Sequence, residues 1–212
     1  MALVFFDYDG VMVDSLESEA RYFAEACQEV GVDAVKNADD MARLSEGNFY
    51  EGLAALGVTA EQSDAIMSFY AKIKTDGRFP IAAFPEVLEL LKKVAERYPV
   101  YIVTSNVSAT VESRLKEYDV KGVKDVLGAD KEPSKVKKLR SVMERYPGER
   151  TVFLGDTKGD MVEADEVGID IRLGVTWGWQ KPEVVLEGDP DYCFTEKADL
   201  VAWWNGFMDG DK

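Results

Sequence analysis

The sequence predicts an α/β protein, in which a Rossmann-like parallel sheet carries helices on both faces and is interrupted by a small helical insertion. Short segments rich in β-branched and aromatic residues alternate along the chain with amphipathic helical patterns, which is typical of parallel α/β folds. Between the first and second of these segments lies a long stretch with helical periodicity and no convincing strand. We therefore expect a core domain formed by residues 1–14 and 85–212, and a helical cap domain formed by residues 15–84.

Four segments have the composition of buried strands, and a fifth has that of an edge strand. They are largely uncharged and are bounded by turn residues. The predicted strands are Ala2–Phe6, Val100–Thr104, Thr151–Leu154 and Ile169–Val175, with Asp191–Phe194 as the edge strand.

The helices are predicted from their apolar spacing and their N-terminal residues. Pro85 begins one helix, because proline is well tolerated in the first turn, and Ser134 is a candidate N-cap for a helix that runs to about Tyr146. Within the insertion we expect helices at Glu17–Val30 and Phe49–Leu56. A further helix is expected to begin at Thr59, which has capping-box spacing to Gln62.

The composition excludes several classes of protein. The formal net charge of −15 repels polyanions, so we expect no nucleic-acid partner. No apolar run approaches the ~20 residues that span a bilayer, so we expect no membrane partner. The two cysteines, Cys27 and Cys193, lack zinc-site spacing, and we expect a reducing, cytoplasmic setting with Cys27 in a helix core. A monomer is the default expectation.

The chain contains no histidine. This absence excludes Ser-His-Asp and Cys-His catalysis, histidine metal sites and imidazole acid–base chemistry. An enzyme with this sequence must use carboxylates, lysines, hydroxyls and an oxygen-preferring metal ion.

Polar groups follow three of the predicted strands, where ligands of open parallel sheets bind. The groups are Asp7 and Asp9 after the first strand; Thr104, Ser105 and Asn106 at the end of the second; and Asp156, followed by Asp160, after the third. Neighbouring strands would bring these groups into one pocket.

Four carboxylates in one pocket need a counter-charge. Two of them about 4 Å apart repel by ~4 kcal/mol at an effective dielectric constant near 20. With oxygen ligands alone, Mg²⁺ is the natural cation, and it also binds substrate phosphate oxygens. In the DxD pair, one carboxylate would attack phosphorus while the other serves as general acid and base.

These motifs resemble those of the haloacid dehalogenase superfamily, specifically its phosphatase branch. "DYDGV" matches the first motif at Asp7, Asp9 and Val11, "VYIVTSN" matches the second at Thr104, and "GDTKGDMVEADEVG" matches the fourth at Asp156 and Asp160. The resemblance extends along the whole chain, including the helical insertion after the first strand. Asp9 argues for phosphoryl chemistry, because the dehalogenases generally lack the second aspartate.

The resemblance implies a role for each motif residue. Asp7 would be the nucleophile and Asp9 the general acid and base. Mg²⁺ would be held by Asp7, Asp156 and the backbone carbonyl of Asp9, with support from Asp160. Thr104 would donate a hydrogen bond to a phosphoryl oxygen, with Ser105 and Asn106 beside it.

Two lysines compete for the third motif, which neutralises the phosphoryl charge. Lys135 follows Ser134 at the start of a helix, as in members with a Ser-Lys segment, whereas Lys131 precedes Glu-Pro and resembles the Lys-Pro-x-Pro variant. We favour Lys135, and for the other lysine we expect an ordinary surface position. The expected function is therefore Mg²⁺-dependent hydrolysis of a small phosphorylated metabolite through an aspartyl-phosphate.

Three other functions remain open at this stage. A phosphomutase of the β-phosphoglucomutase type would use the same aspartates, a catalytically silent protein of the same fold would only bind its ligand, and a receiver-type signalling module also clusters acids, Thr and Lys. The receiver fits poorly, because it has no inserted domain and no DxD partner. Specificity is expected in the insertion, and its candidate groups are Arg21, Arg43, Lys72, Lys74, Arg78 and the segment Arg43–Phe49 ("RLSEGNF").

Overall fold

The computed structural model describes residues 2–46 and 49–210 of the chain. Contacts between Cα atoms divide the chain into two compact units. One contains the residues up to Val13 together with those from Ala83 onwards, and the other contains Asp14–Ala82.

A six-stranded parallel sheet forms the centre of the first unit. Its strands are β1 (Ala2–Phe6), β4 (Val100–Val103), β5 (Val123–Leu127), β6 (Arg150–Gly155), β7 (Ile171–Val175) and β8 (Tyr192–Phe194). They lie in the order β5-β4-β1-β6-β7-β8, and every neighbouring pair is parallel. The parallel α/β fold predicted from the sequence is confirmed.

Two further short strands lie where the chain passes between the units. They are β2 (Val13–Asp14) and β3 (Ala82–Ala83), and they form a two-stranded sheet.

Six helices cover the central sheet in the first unit. They are α5 (Pro85–Ala95), α6 (Ser108–Glu117), α7 (Lys135–Met143), α8 (Lys158–Val167), α9 (Pro182–Leu186) and α10 (Lys197–Gly210). Pro85 and Ser134 begin helices as predicted, and the Ser134 hydroxyl accepts a hydrogen bond from the Lys137 amide.

Alternate residues of β1 pack on opposite faces of the sheet, as the period of a strand requires. Leu3 and Phe5 belong to the core that includes Leu139 of α7 and Met161 of α8. On the opposite face, the ring of Phe6 stacks on that of Trp204 from α10 at 6.3 Å. Because both faces are covered, β1 is fully buried, which explains its uninterrupted apolar sequence.

The second unit is helical. It consists of α1 (Leu16–Val30), α2 (Ala38–Leu44), α3 (Phe49–Ala55), α4 (Ala60–Ile73) and a 3₁₀ turn at Lys74–Asp76. The predicted capping box of Thr59 and Gln62 is present at the start of α4. Cys27 is buried in α1, and neither it nor Cys193 forms a disulfide.

Strand β5 is the clearest element that the sequence analysis missed. It lies at the edge of the sheet and carries Lys124 and Asp125, so it lacks the uncharged run that identified the other strands. Within the described residues, no helix is both long and apolar enough to cross a membrane.

Candidate active site

The strand register brings three sets of predicted residues to the same edge of the sheet. Phe6 is opposite Ile102 of β4 and opposite Leu154 of β6. Asp7, Thr104 and Asp156 follow within two residues of these positions. Because parallel strands end on the same side, the groups that follow them gather at one edge.

Three buried carboxylates form the centre of the site. Asp7, Asp156 and Asp160 each offer an oxygen atom, and these atoms lie within 4.8 Å of one another. Asp160 is fixed by the N-terminus of α8, where its carboxylate and the Thr157 side chain form a capping box. The three residues are a donor set that fits a hard divalent cation, since all the ligand atoms are carboxylate oxygens.

Lys135 provides a positive charge beside these acids. Its Nζ donates to Asp7 Oδ2 at 2.8 Å and to Asp160 Oδ1 at 2.5 Å. Burial lowers the pKa of Lys135, but the carboxylates of Asp160 and Asp7 outweigh that effect and hold its pKa well above its usual value. We therefore expect Lys135 to be protonated at neutral pH.

The second candidate lysine lies elsewhere. The Lys131 Nζ donates to the Asp125 carboxylate and to the Val126 carbonyl, both at 2.7 Å. It is also within 3.8 Å of Glu112. The structure therefore brings Lys135 to the carboxylate cluster and leaves Lys131 paired on a partly exposed edge of the sheet.

The acids resist ionisation without a cation. Burial raises the pKa of Asp7 to about 7, and the neighbouring Asp160 adds to this effect while Lys135 opposes it. Burial, together with Asp160 and Asp7, also holds the pKa of Asp156 well above its usual range. A divalent cation in contact with these oxygens would reverse the balance, because it favours the charged form.

Glycine residues make room for the Asp156 carboxylate. A Cβ atom on Gly10 would lie 2.0 Å from Asp156 Oδ2, and one on Gly178 would lie 2.3 Å from the same atom. The Trp179 amide donates to this oxygen at 2.6 Å. Gly10 also has a φ of 72°, which other residues rarely adopt. Two backbone segments thus enclose Asp156 closely enough to exclude any side chain.

Asp9 lies beside this cluster and keeps one oxygen free. Its Oδ2 accepts a hydrogen bond from Asn106 Nδ2 at 3.2 Å. Its Oδ1 is buried and, among the described residues, has no hydrogen-bond partner. Leaving a buried acceptor unpaired costs about 1–3 kcal/mol, which is unusual outside functional sites.

The segment after β4 has its own hydrogen-bond pattern. Thr104 is fully buried, and its hydroxyl accepts from the Asn106 amide at 3.0 Å. Asn106 uses its side-chain oxygen to accept from the Val107 amide at 2.8 Å. Ser105 is exposed. The N-cap position of α6 is Val107, so Asn106 is not the N-cap of this helix.

The cationic candidates of the helical unit are all engaged within that unit. Arg21 pairs with Glu17, Arg43 with Asp40, Lys74 with Glu19, and Arg78 with Glu25 and Asp76. The Lys72 ammonium lies over the ring of Phe69. The predicted loop Arg43–Phe49 falls partly outside the described residues.

Two residues that shape the site were not predicted from the sequence. Gly178 was not singled out, because its importance depends on where Asp156 lies in three dimensions. Lys138 was also missed, although its spacing offered a signal: it shares a helix face with Lys135, Leu139 and Val142, which are all buried.

Comparison with known proteins gives a consistent set of relatives. Residues 4–173 match the family model described as haloacid dehalogenase-like hydrolase. The chain is 24% identical to a phosphoglycolate phosphatase of Synechococcus elongatus, over 95% of this chain and 96% of that protein. It is 23% identical to the pyrophosphatase PpaX of Listeria monocytogenes, over 93% of each chain.

Solved structures agree with these sequence relatives. A haloacid dehalogenase-like family hydrolase from Streptococcus pneumoniae superposes with a TM-score of 0.78 at 26% identity. The match covers 95% of this chain and 97% of that one.

Proposed function

Because the chain belongs to the haloacid dehalogenase-like hydrolase family and is a phosphatase within it, we propose that it hydrolyses a small phosphate monoester with Mg²⁺ and an aspartyl-phosphate on Asp7. One observation carries the proposal. The Asp7 carboxylate is buried, touches Lys135, and lies within the group of three acids that could hold a metal ion.

Asp7 is suited to attack phosphorus. Its Oδ1 accepts from the Tyr8 amide at 2.7 Å and its Oδ2 accepts from Lys135, so the carboxylate is fixed in orientation before substrate arrives. Attack forms the bond between Asp7 and phosphorus and breaks the bond to the ester oxygen, which divides one difficult displacement into two easier ones.

Asp9 is suited to move the proton in both steps. Its unpaired Oδ1 gives a proton to the leaving alcohol oxygen in the first step. In the second step the same oxygen takes a proton from water, and that water attacks phosphorus and releases phosphate from Asp7. Asn106 fixes the other oxygen of Asp9, so the proton is handled at one defined atom.

A divalent cation completes the charge balance. Asp7, Asp156 and Asp160 would hold Mg²⁺, with the Asp9 carbonyl as a further ligand by the family resemblance. When bound, the ion supplies positive charge to the phosphoryl oxygens. Lys135 adds a second positive charge, and the Thr104 hydroxyl donates to a phosphoryl oxygen.

We also propose that the helical unit sets substrate specificity as a cap. Its described cations are paired with carboxylates or stacked on an aromatic ring, which argues against a strongly cationic recognition surface. The names of the relatives suggest 2-phosphoglycolate and pyrophosphate as the first substrates to test.

The direct test is phosphate release from p-nitrophenyl phosphate, 2-phosphoglycolate, pyrophosphate and β-glucose 1-phosphate, with Mg²⁺ or with EDTA. We expect Mg²⁺-dependent turnover that Asp7→Asn abolishes and Asp9→Asn severely reduces. Asp199→Asn, an exposed aspartate in α10, is the matched control and should match wild type. Mass spectrometry of acid-quenched reactions should find one phosphoryl group on the peptide that contains Asp7.

Other outcomes would point to other functions. Sugar-phosphate isomer without phosphate release would identify a phosphomutase. Absence of turnover on all four compounds, with binding retained, would identify a silent binding protein and overturn the proposal.

A further inference from the structure

A second lysine lies buried behind the site. Lys138 is 2% exposed, although it carries an ammonium group at the end of a long side chain. Its Nζ donates to the backbone carbonyl of Thr104 at 2.8 Å. Within the described residues, this is the one hydrogen bond that the ammonium makes. Burying a charge costs free energy unless its partners compensate for the lost hydration. An apolar residue at this position would avoid that cost.

The bonding partner of Lys138 is the residue that ends β4. The Thr104 amide donates to the Leu127 carbonyl of β5 at 3.1 Å, and the Thr104 carbonyl accepts from Lys138. Both backbone groups of Thr104 are therefore held, one by the sheet and the other by the ammonium. No peptide bond in the described residues is cis.

This arrangement fixes the orientation of the next peptide group. In a planar trans peptide, the N–H of Ser105 points opposite to the C=O of Thr104. It therefore points away from Lys138. Within the described residues no acceptor is bonded to the Ser105 amide, so this donor is available to a ligand.

The same segment extends to the proposed acid. The Asn106 amide donates to the Thr104 hydroxyl at 3.0 Å, and the Asn106 side chain donates to Asp9 at 3.2 Å. A continuous series of hydrogen bonds thus connects Lys138 with Asp9 through Thr104 and Asn106. A shift of Thr104 would move the hydroxyl, the free amide and the Asn106 side chain together.

We propose that Lys138 is a positioning residue for phosphate recognition: by holding the Thr104 carbonyl, it orients the Ser105 amide, the Thr104 hydroxyl and, through Asn106, the carboxylate of Asp9. This inference rests on the proposed function, since it assigns Lys138 a role in the same site. The proposed role of Lys138 differs from that of Lys135, which contacts the carboxylates of Asp7 and Asp160 directly.

The electrostatics are compatible with this role. Burial lowers the pKa of Lys138 to about 8, with a smaller contribution from Lys135, while Asp7, Glu163 and Glu132 oppose the change. The group therefore remains mostly protonated at neutral pH. A second buried cation also favours an incoming phosphate dianion.

The test compares Lys138→Met, Lys138→Arg and the matched control Lys137→Met. Lys137 is exposed on the same helix, so its replacement removes a charge without touching Thr104. Calorimetric titration of the Mg²⁺-loaded protein with inorganic phosphate gives Kd, and steady-state kinetics on p-nitrophenyl phosphate give kcat and KM. Thermal unfolding measures Tm separately.

We expect Lys138→Met to raise the phosphate Kd and KM by about ten-fold or more, the scale set by losing a hydrogen bond to a charged group. We expect Lys138→Arg, which keeps a cationic donor, to recover most of that loss, and Lys137→Met to match wild type. If Lys138→Met does not fold, a ten-fold change in the folded variant Lys138→Gln supports the same conclusion.

Some results would overturn the inference. One is a folded Lys138→Met or Lys138→Gln protein whose Kd, KM and kcat stay within two-fold of wild type, whatever its Tm. Failure of the proposed function is a separate result. If wild type binds phosphate but hydrolyses no ester, the effect of Lys138 on Kd still tests the inference.

Discussion

At the scale of single residues, the site depends on how closely backbone approaches a carboxylate. Asp156 accepts a hydrogen bond from the Trp179 amide, and Gly10 and Gly178 leave no space for a Cβ atom beside its Oδ2. A glycine next to a proposed metal ligand thus helps to set the geometry of that ligand. Its effect can be separated from that of a glycine substitution as such, because a Cβ atom on Gly206 would have nothing within 4 Å of it.

The substitution Gly178→Ala is therefore expected to displace the Asp156 carboxylate. Its Cβ would lie 2.5 Å from the Asp156 Cβ, so one of the two segments must move. We expect Mg²⁺ affinity, measured by calorimetry, to fall by ten-fold or more, the scale reported for residues that orient metal ligands. The chain should remain folded.

Gly206→Ala is the matched control for this substitution. Nothing lies within 4 Å of a Cβ at that position in α10, and alanine is favoured over glycine in helices. Its Mg²⁺ affinity should equal that of wild type. If the Mg²⁺ affinity of Gly178→Ala were unchanged, the backbone around Trp179 would have shifted without displacing Asp156, and the prediction would be wrong.

At the scale of secondary-structure elements, helix α7 contributes both to the core and to the proposed catalytic site. Its buried face includes Leu139 and Val142 in the core, and at its N-terminal end the same face continues with Lys135 and Lys138. Lys135 is the first residue of the helix, directly after the Ser134 cap. The position of this lysine therefore depends on an intact first turn.

We expect Ser134→Ala to destabilise the protein by about 1 kcal/mol, because the Lys137 amide loses its acceptor. We also expect a lower kcat, since fraying of the first turn releases Lys135 from Asp7. Urea unfolding and steady-state kinetics measure the two effects. Ser134→Asn should recover both, because asparagine is an equally good N-cap; a loss of stability with unchanged kcat would refute the link to Lys135.

The helices and strands that could be predicted are those whose local sequence pattern matches their burial and hydrogen bonding in the fold. Buried β1 is an uninterrupted apolar run, and Thr59 with Gln62 forms the capping box that their spacing indicated. Strand β5 was missed, because an edge strand can carry Lys124 and Asp125 without burying them. The predicted strand at Ile169 begins instead at Ile171, since Asp170 is engaged with Thr151.

The residues of the candidate site could be predicted where they directly follow the carboxyl ends of predicted strands. Asp7, Asp156 and Asp160 could be grouped from the sequence, since each follows a strand of the same sheet. The contact between Asn106 and Asp9 could not, because it joins side chains 97 residues apart with no pattern between them. The same is true of the bond from Lys138 to Thr104, 34 residues away.

At the scale of the whole molecule, the buried acids would connect the proposed metal binding with folding. Burial and mutual repulsion raise the pKa of Asp7 and Asp156, so the cluster is poorly accommodated without a cation. A ligand that binds only the folded state stabilises it by mass action. Mg²⁺ should therefore increase the stability of the whole first unit.

We expect Mg²⁺ at one hundred times its Kd to raise the free energy of unfolding by about 2.7 kcal/mol. Thermal unfolding in Mg²⁺ and in EDTA measures the change. Asp156→Asn should abolish the Mg²⁺ effect without lowering stability in EDTA, since asparagine keeps an acceptor for the Trp179 amide. Asp199→Asn should respond to Mg²⁺ as wild type does, and a response retained by Asp156→Asn would exclude this cation site.

The strand order also governs how the polypeptide acquires its structure. Strand β1, which is translated before the other strands of this sheet, lies between β4 and β6, whose residues follow about a hundred or more positions later. The five apolar residues of β1 remain unpaired until β4 and β6 have been synthesised. Such long-range pairing is slow, and the unpaired strand exposes aggregation-prone surface. A chain released before β6 has neither a completed sheet nor Asp156, so truncated products should be insoluble and inactive together.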